Sequence, residues 1–85
     1  MATMQNKIKS LTNFIKLLRI NKINITDLTT EGGVCKYEIN IPNNKHWLYK
    51  KENKKKFFEL NEYIFQNFES KEYSDDLRIV WYIYN

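Results

Sequence analysis

The run "LRIVWYIYN" at residues 77–85 constrains the fold most strongly. Successive residues of a strand point to opposite faces, and here both sets are apolar or aromatic apart from Arg78 and the final Asn85. Strands of this composition are typical of the middle of a sheet, where both faces are covered. The run therefore predicts a central strand, and the rest of the chain has to supply its neighbours and a covering layer.

Earlier segments have the same period of two. Alternation in "VCKYEINI", residues 34–41, predicts a strand with its apolar side chains on one face. Ile23 and Ile25 predict a shorter strand before it, and the adjacent Gly32 and Gly33 predict a turn between the two strands.

The segment "PNNKHWLYKK", residues 42–51, predicts a turn followed by a returning strand. A turn of four residues pairs Ile41 with His46 and places Trp47 and Tyr49 on the polar face of the preceding strand. A turn longer by one residue directs these aromatic side chains inward instead, because a shift of one residue exchanges the two faces. Both registers stay open.

Two segments, residues 4–20 and 53–70, have the period of amphipathic helices. The apolar stripe of the first helix contains Met4, Ile8, Leu11, Phe14, Ile15 and Leu18. The stripe of the second helix is broader and contains Phe57, Phe58, Leu60, Ile64, Phe65 and Phe68. We expect the second helix to begin at Asn53, because Asn is a favoured N-cap residue.

Together these segments predict a single small α+β domain over residues 1–85, with the element order α-β-β-β-α-β. We expect a mostly antiparallel sheet of three or four strands with both helices on one face. The other face is then left to solvent or to a partner. A chain of 85 residues has no room for a second core.

The composition excludes several kinds of site. One cysteine and one histidine are too few for a metal-binding cluster or an internal disulfide. The two glycines are adjacent, which excludes a glycine-rich phosphate-binding loop. We therefore expect no enzyme activity and no cofactor. The single cysteine and the short apolar runs predict a cytoplasmic protein in a reducing compartment, with no membrane partner.

Positive charge is concentrated where the second predicted helix begins. Residues 45–56 carry six lysines and one glutamate, whereas residues 59–76 carry six acidic residues and one lysine. The helix macrodipole disfavours each cation in a first turn by about 0.3–1 kcal/mol, and local conflicts of this kind are frequent at functional sites. The run therefore predicts binding of a partner or of phosphate by Lys50, Lys51, Lys54, Lys55 and Lys56. A solvated helix start is the alternative.

The stretch "KKENKKKFF", residues 50–58, resembles in its placement the lysine cluster of the double-stranded RNA-binding domain. Members of that family have the order α-β-β-β-α, and lysines at the start of their second helix bind phosphates across the RNA major groove. The resemblance covers about half of the chain. It implies phosphate contacts by Lys50, Lys51, Lys54 and Lys55.

Two further surfaces are candidates for partner contacts. Tyr and Trp are frequent in interface hot spots, and four such side chains are expected on the sheet face without helices: Trp47, Tyr49, Tyr82 and Tyr84. The alternatives place them in the core or in a symmetric dimer. Acidic contacts are expected after the second helix, from Glu69, Glu72, Asp75 and Asp76.

The small size, the net charge of +4 and the frequent Asn, Lys and Ile are similar to those of many small phage and mobile-element proteins. This resemblance implies an anti-defence inhibitor, such as an anti-CRISPR or anti-restriction protein, that binds a host protein or a nucleoprotein complex. Direct nucleic-acid binding through the lysines, with aromatic stacking on bases, is the alternative. A structural homodimer is the second alternative, so the protein is expected to be a monomer or a homodimer.

Overall fold

The computed structural model describes residues 3–42, 44–75 and 77–85. In these ranges two long helices and four strands form an α+β domain, which confirms the predicted fold class. The elements in chain order are α1 (Met4–Leu18), β1 (Asn24–Asp27), β2 (Tyr37–Pro42), the short helix α2 (Asn44–Trp47), α3 (Lys51–Asn67), β3 (Ser70–Ser74) and β4 (Arg78–Ile83).

The sheet has the strand order β1-β2-β4-β3, and all three neighbouring pairs are antiparallel. The last strand therefore lies between two others, which confirms the prediction that it is central. Ile39 of β2 and Glu72 of β3 are both opposite Trp81 of β4. The register places six buried residues of β2 and β4 on one face: Tyr37, Ile39, Ile41, Ile79, Trp81 and Ile83.

Helix α1 covers this apolar face with the stripe that the sequence predicts. Leu11 and Ile15 are buried, and the other members of the stripe pack against the same core: Met4, Ile8, Phe14 and Leu18. Leu17, which lies outside the stripe, is 80% exposed. The helix begins after Thr3, whose hydroxyl oxygen accepts a hydrogen bond from the Asn6 amide (3.2 Å).

Helix α3 lies beside α1 and completes the covering layer. Phe14 of α1 stacks on Tyr63 of α3, with ring centroids 4.4 Å apart. The indole N–H of the buried Trp81 donates to Asn61 Oδ1 (2.9 Å). This hydrogen bond satisfies a donor that burial would otherwise leave without a partner, and it links α3 to the central strand.

The stripe predicted for this helix is too broad. Phe58 is 67% exposed and Phe65 is 76% exposed, so the prediction that both are buried is wrong. The residues of the stripe that do pack on the core are Phe57, Leu60, Ile64 and Phe68. Phe58 and Phe65 lie at one margin of the predicted stripe, beyond the part of α3 that the sheet and α1 cover.

The returning strand predicted at residues 46–51 is wrong. His46 and Trp47 belong to α2, and a turn follows before α3. The consecutive residues Trp47 and Leu48 both pack against the core, whereas a strand would direct them to opposite faces. Neither of the two hairpin registers therefore applies. Helix α3 begins at Lys51, two residues before the predicted start.

Strand β3 completes the four-stranded sheet, in a segment for which the sequence pattern predicts no strand. It pairs with β4 along the edge of the sheet, and four of its five residues are exposed. The order of the main elements is therefore α-β-β-α-β-β, which corrects the predicted α-β-β-β-α-β. It also differs from the α-β-β-β-α order of the double-stranded RNA-binding domain, so that resemblance does not extend to the fold.

The sheet face opposite the helices is mixed in composition. Val80 is fully buried on this face, where its register partners are Asn40 of β2 and Tyr73 of β3. Tyr73 is 56% exposed and Tyr82 is half-buried. The two long helices thus cover one face, as predicted, and the other presents tyrosine and polar side chains.

Candidate functional site: a basic groove

A groove opens where the end of α1 meets α2 and the first turns of α3. Its volume is about 460 Å³. The described residues that line it are Arg19, Asn21, Lys22, Pro42, His46, Trp47, Lys50, Glu52, Asn53 and Lys56. Two segments that are distant in sequence, residues 19–22 and 42–56, therefore form one concave surface, which we call the basic groove.

Positive charge dominates this surface. Arg19, Lys22, Lys50 and Lys56 are cationic, and Glu52 is the one acid among the described lining residues. The Lys56 ammonium donates a hydrogen bond to the Arg19 carbonyl oxygen (3.2 Å). Because that acceptor is neutral, the bond positions Lys56 without neutralising its charge. The groove thus sets four positive charges against one negative charge.

Arg19 ends α1 in a backbone conformation that favours glycine. Its φ of 59° and ψ of 45° are left-handed, and it is the only non-glycine residue with positive φ in the described ranges. A residue with a Cβ atom costs about 1–2 kcal/mol in this region. The Arg19 amide still closes the helix by donating to the Lys16 carbonyl oxygen (3.1 Å). An arginine at a position of this kind is typical of a functional site.

The start of α3 is a second local conflict in the same place. Lys50 occupies the N-cap position and makes no side-chain capping bond, because a lysine side chain has no acceptor. Asn53, predicted to be the N-cap, lies instead in the first turn, and its Nδ2 donates to the Trp47 carbonyl oxygen (2.8 Å). This bond ties α2 to α3 and fixes the wall of the groove that contains His46.

The helix divides the predicted lysine cluster. Lys50 and Lys56 line the basic groove, whereas Lys51, Lys54 and Lys55 are exposed and do not line it. Successive helical residues are about 100° apart, so the side chains of Lys54 and Lys56 point about 160° apart around α3. The five lysines therefore belong to different surfaces.

Arg19, Lys22 and His46 complete the groove and are not among the predicted site residues. Arg19 and Lys22 lie far before Lys50 in the chain and reach it because α1 packs beside α3. The sequence does contain one signal for Arg19. The stripe of α1 ends at Leu18, and an arginine follows where glycine or asparagine is expected.

The four predicted aromatic contacts do not form one surface. Trp47 lines the groove and is half-buried against the core. Tyr49 is 73% exposed in the turn immediately before Lys50. Tyr82 lies on the sheet face without helices, and Tyr84 follows the end of β4. Of the four, Trp47 lines the groove, and Tyr49 is adjacent in sequence to the groove residue Lys50.

The predicted acidic contacts are dispersed as well. Glu69 follows α3, Glu72 lies in the edge strand β3, and Asp76 lies outside the described residues. Asp75 Oδ1 accepts hydrogen bonds from the amides of Leu77 and of the first residue of β4 (2.8 and 3.0 Å). These bonds lower the pKa of the Asp75 carboxyl group. Asp75 therefore organises the turn into β4.

The groove has the chemistry of an anion-binding surface. Arginine and lysine donate charge-assisted hydrogen bonds to phosphate or carboxylate oxygens, and clustered cations concentrate polyanions near a surface. Within the described part of the chain, no group of three or more His, Cys, Asp or Glu side chains is arranged to hold a metal ion. No described helix combines the length and the apolar character needed to cross a membrane.

Comparison of the chain with protein-family models, with curated proteins and with solved structures gives no match.

Proposed function

We propose that this protein is a non-enzymatic binding protein that holds the phosphate backbone of a nucleic acid in its basic groove. One observation carries the proposal: Arg19 and Lys22, which precede β1, converge with Lys50 and Lys56 on a single concave surface. A general abundance of lysine in the sequence does not explain why cations from two distant segments meet on the same surface.

The two local conflicts support the same proposal. Arg19 has a left-handed backbone, and Lys50 occupies an N-cap position without a capping bond. Both features reduce the stability of the fold, and both place a cation at the groove. A bound phosphate backbone offsets the repulsion among the groove cations. Arginine can bind a phosphate through two parallel hydrogen bonds.

An exposed aromatic side chain next to a groove residue favours single strands. Tyr49 is 73% exposed and directly precedes Lys50. Stacking of a base on an aromatic ring contributes about 1–3 kcal/mol and tolerates any base. We therefore expect tighter binding of single-stranded than of double-stranded nucleic acid, with little dependence on base sequence.

A binding assay with charge-reversed variants tests the proposal. Fluorescence anisotropy with labelled 20-nucleotide RNA and DNA, single- and double-stranded, gives the Kd at about 50 mM salt. Lys56→Glu should weaken binding more than tenfold, because it replaces a groove cation with an anion. Lys71→Glu, an exposed position on β3, changes the net charge equally and should have less than a threefold effect. Equal loss with both variants, or no binding by the wild type, refutes the proposal.

The predicted anti-defence inhibitor is compatible with the groove if the nucleic acid belongs to a host nucleoprotein complex. A pulldown of host extract, with and without nuclease treatment, separates the two predictions. A partner that is lost after nuclease treatment supports binding through nucleic acid. A partner retained after treatment, and retained by Lys56→Glu, supports direct protein binding and contradicts the role proposed for the groove.

A further inference from the structure

The outer side of α3 carries two exposed phenylalanines. Phe58 is 67% exposed and Phe65 is 76% exposed. They are seven residues apart, which places them two helical turns and about 10 Å apart on the same side of the helix. Burying an exposed Phe side chain stabilises an assembly, so this pair is a candidate contact surface.

Charged residues flank these rings in an ordered way. Lys51 and Lys54 precede Phe58 by seven and four residues, and Glu62 and Phe65 follow it by four and seven residues. All five are exposed. Their directions fall within about 80° around the helix axis. We call this surface the outer ridge; it consists of Lys51, Lys54, Phe58, Glu62 and Phe65.

We propose that the outer ridge binds the outer ridge of a second copy of the chain, with the two α3 helices antiparallel and a twofold axis at Phe58. In this arrangement Phe58 contacts the partner's Phe58. Lys54 is then opposite the partner's Glu62, since both residues are four positions from the axis. Lys51 is opposite the partner's Phe65, since both are seven positions from the axis. In this one register, every residue of the ridge therefore faces a favourable partner in the second copy.

Charge complementarity selects a second copy as the occupant. The ridge is positive before Phe58 and negative after it. A second copy in the antiparallel direction therefore places its negative end against the positive end of the first copy. A parallel pair would place Lys54 beside Lys54 and Glu62 beside Glu62, and like charges in contact are unfavourable. The Gln66 amide already donates to Glu62 Oε1 (2.7 Å), which orients the carboxylate and leaves its second oxygen for the partner's lysine. An ammonium over a phenylalanine face adds a cation–π contact at each end.

The ridge is small, so the dimer is weak. Five side chains bury less than the roughly 800 Å² per partner of a standard interface. We expect a Kd on the order of 100 µM. The interface leaves the basic groove free, because Lys56 points away from the ridge on the same helix. The inference therefore goes beyond the proposed nucleic-acid binding and stands or fails separately.

Sedimentation equilibrium over about 10 µM to 1 mM protein tests the dimer. The wild type should show a concentration-dependent monomer–dimer equilibrium. Phe58→Ser should weaken it at least tenfold, because the ring lies on the twofold axis. Leu17→Ser is the matched control, since Leu17 is 80% exposed on α1, and it should have no effect. Helical circular dichroism confirms that each variant is folded.

A charge exchange tests the antiparallel register. Lys54→Glu and Glu62→Lys should each weaken the dimer about tenfold, because each creates two like-charge contacts. The double variant should return to within about threefold of the wild type, since both pairs are restored with opposite polarity. A monomer at every concentration, an equal effect of Leu17→Ser and Phe58→Ser, or a double variant as weak as the singles overturns the proposal.

Discussion

The salt dependence of nucleic-acid binding follows from the number of groove cations. Each lysine or arginine that neutralises a phosphate of a duplex contributes about 0.9 to the slope of log affinity against log salt. Four cations line the groove, so we predict a slope of about −3.6. Raising salt from about 50 to 200 mM should then reduce affinity about 150-fold. Single strands have a lower charge density and should give a slope of about −2.8.

Removing one cation should change this slope by a fixed amount. Lys56→Ala leaves three groove cations, for which we predict a slope of about −2.7 on a duplex and about a 40-fold loss over the same salt range. Fluorescence anisotropy titrations at five salt concentrations measure both slopes. Lys71→Ala is the control and should retain the wild-type slope. A wild-type slope near zero, or equal slopes for wild type and Lys56→Ala, would refute the assignment of phosphate contacts to the groove.

Three further predictions concern stability and its balance with binding. Arg19→Gly should raise the free energy of unfolding by about 0.5–1 kcal/mol, because glycine tolerates the left-handed backbone, and should weaken nucleic-acid binding about eightfold at 0.1 M salt. Asn61→Ala should lower the free energy of unfolding by about 1–3 kcal/mol, measured by urea denaturation, because the buried Trp81 N–H loses its acceptor. Asp27→Asn should reduce the fall in Tm below pH 3.8. Hydrogen bonds from the Thr29 hydroxyl and amide lower the pKa of the Asp27 carboxyl group from 3.8 in the folded protein. The ionised carboxylate therefore stabilises the fold above pH 3.8, and this stabilisation is lost as the pH falls through the folded-state pKa.

Each of these predictions has a clear contrary outcome. Arg19→Gly that lowers stability, or that leaves binding unchanged, contradicts the functional explanation of its backbone. Asn67→Ala is the control for Asn61, because Asn67 makes an exposed hydrogen bond to the Tyr63 carbonyl oxygen (2.8 Å); equal losses would show that burial is not the cause. Identical acid profiles for Asp27→Asn and wild type would exclude its contribution.

Residues on the core face could be predicted from the sequence because one strong period governs them. The stripe of α1 and the alternation in β2 and β4 are each decided by burial against one layer. The central position of β4 follows from its two apolar faces, and Val80, fully buried on the face without helices, confirms the reasoning.

The two strand errors have physical causes. "HWLYKK" is expected to return as a strand because it follows turn residues, but Trp47 and Leu48 both reach the core from a short helix and a turn. Strand β3 is polar on both faces because it is an edge strand, and edge strands commonly carry charged side chains that discourage further pairing. The sequence of β3 therefore lacks the alternating apolar residues by which a strand is recognised.

The site was predictable in part. The predicted lysine cluster contains Lys50 and Lys56, and both line the groove, although Lys56 lies beyond the first turn of α3. Arg19 and Lys22 join them only through the packing of α1 beside α3, which no local pattern contains. The same helix geometry moves Lys54 to another surface, since two positions along a helix nearly reverse a side chain's direction.

The most direct test of the central claim is the location of bound nucleic acid on the protein. Amide chemical shifts of isotope-labelled protein, recorded while a six-nucleotide single strand is added, report that location residue by residue. We predict the largest changes at residues 19–22, 46–47 and 50–56, which contain all the groove-lining positions except Pro42, a residue without an amide hydrogen. Changes confined to the sheet face at Tyr73 and Tyr82, or no changes at about 50 mM salt, would contradict the account.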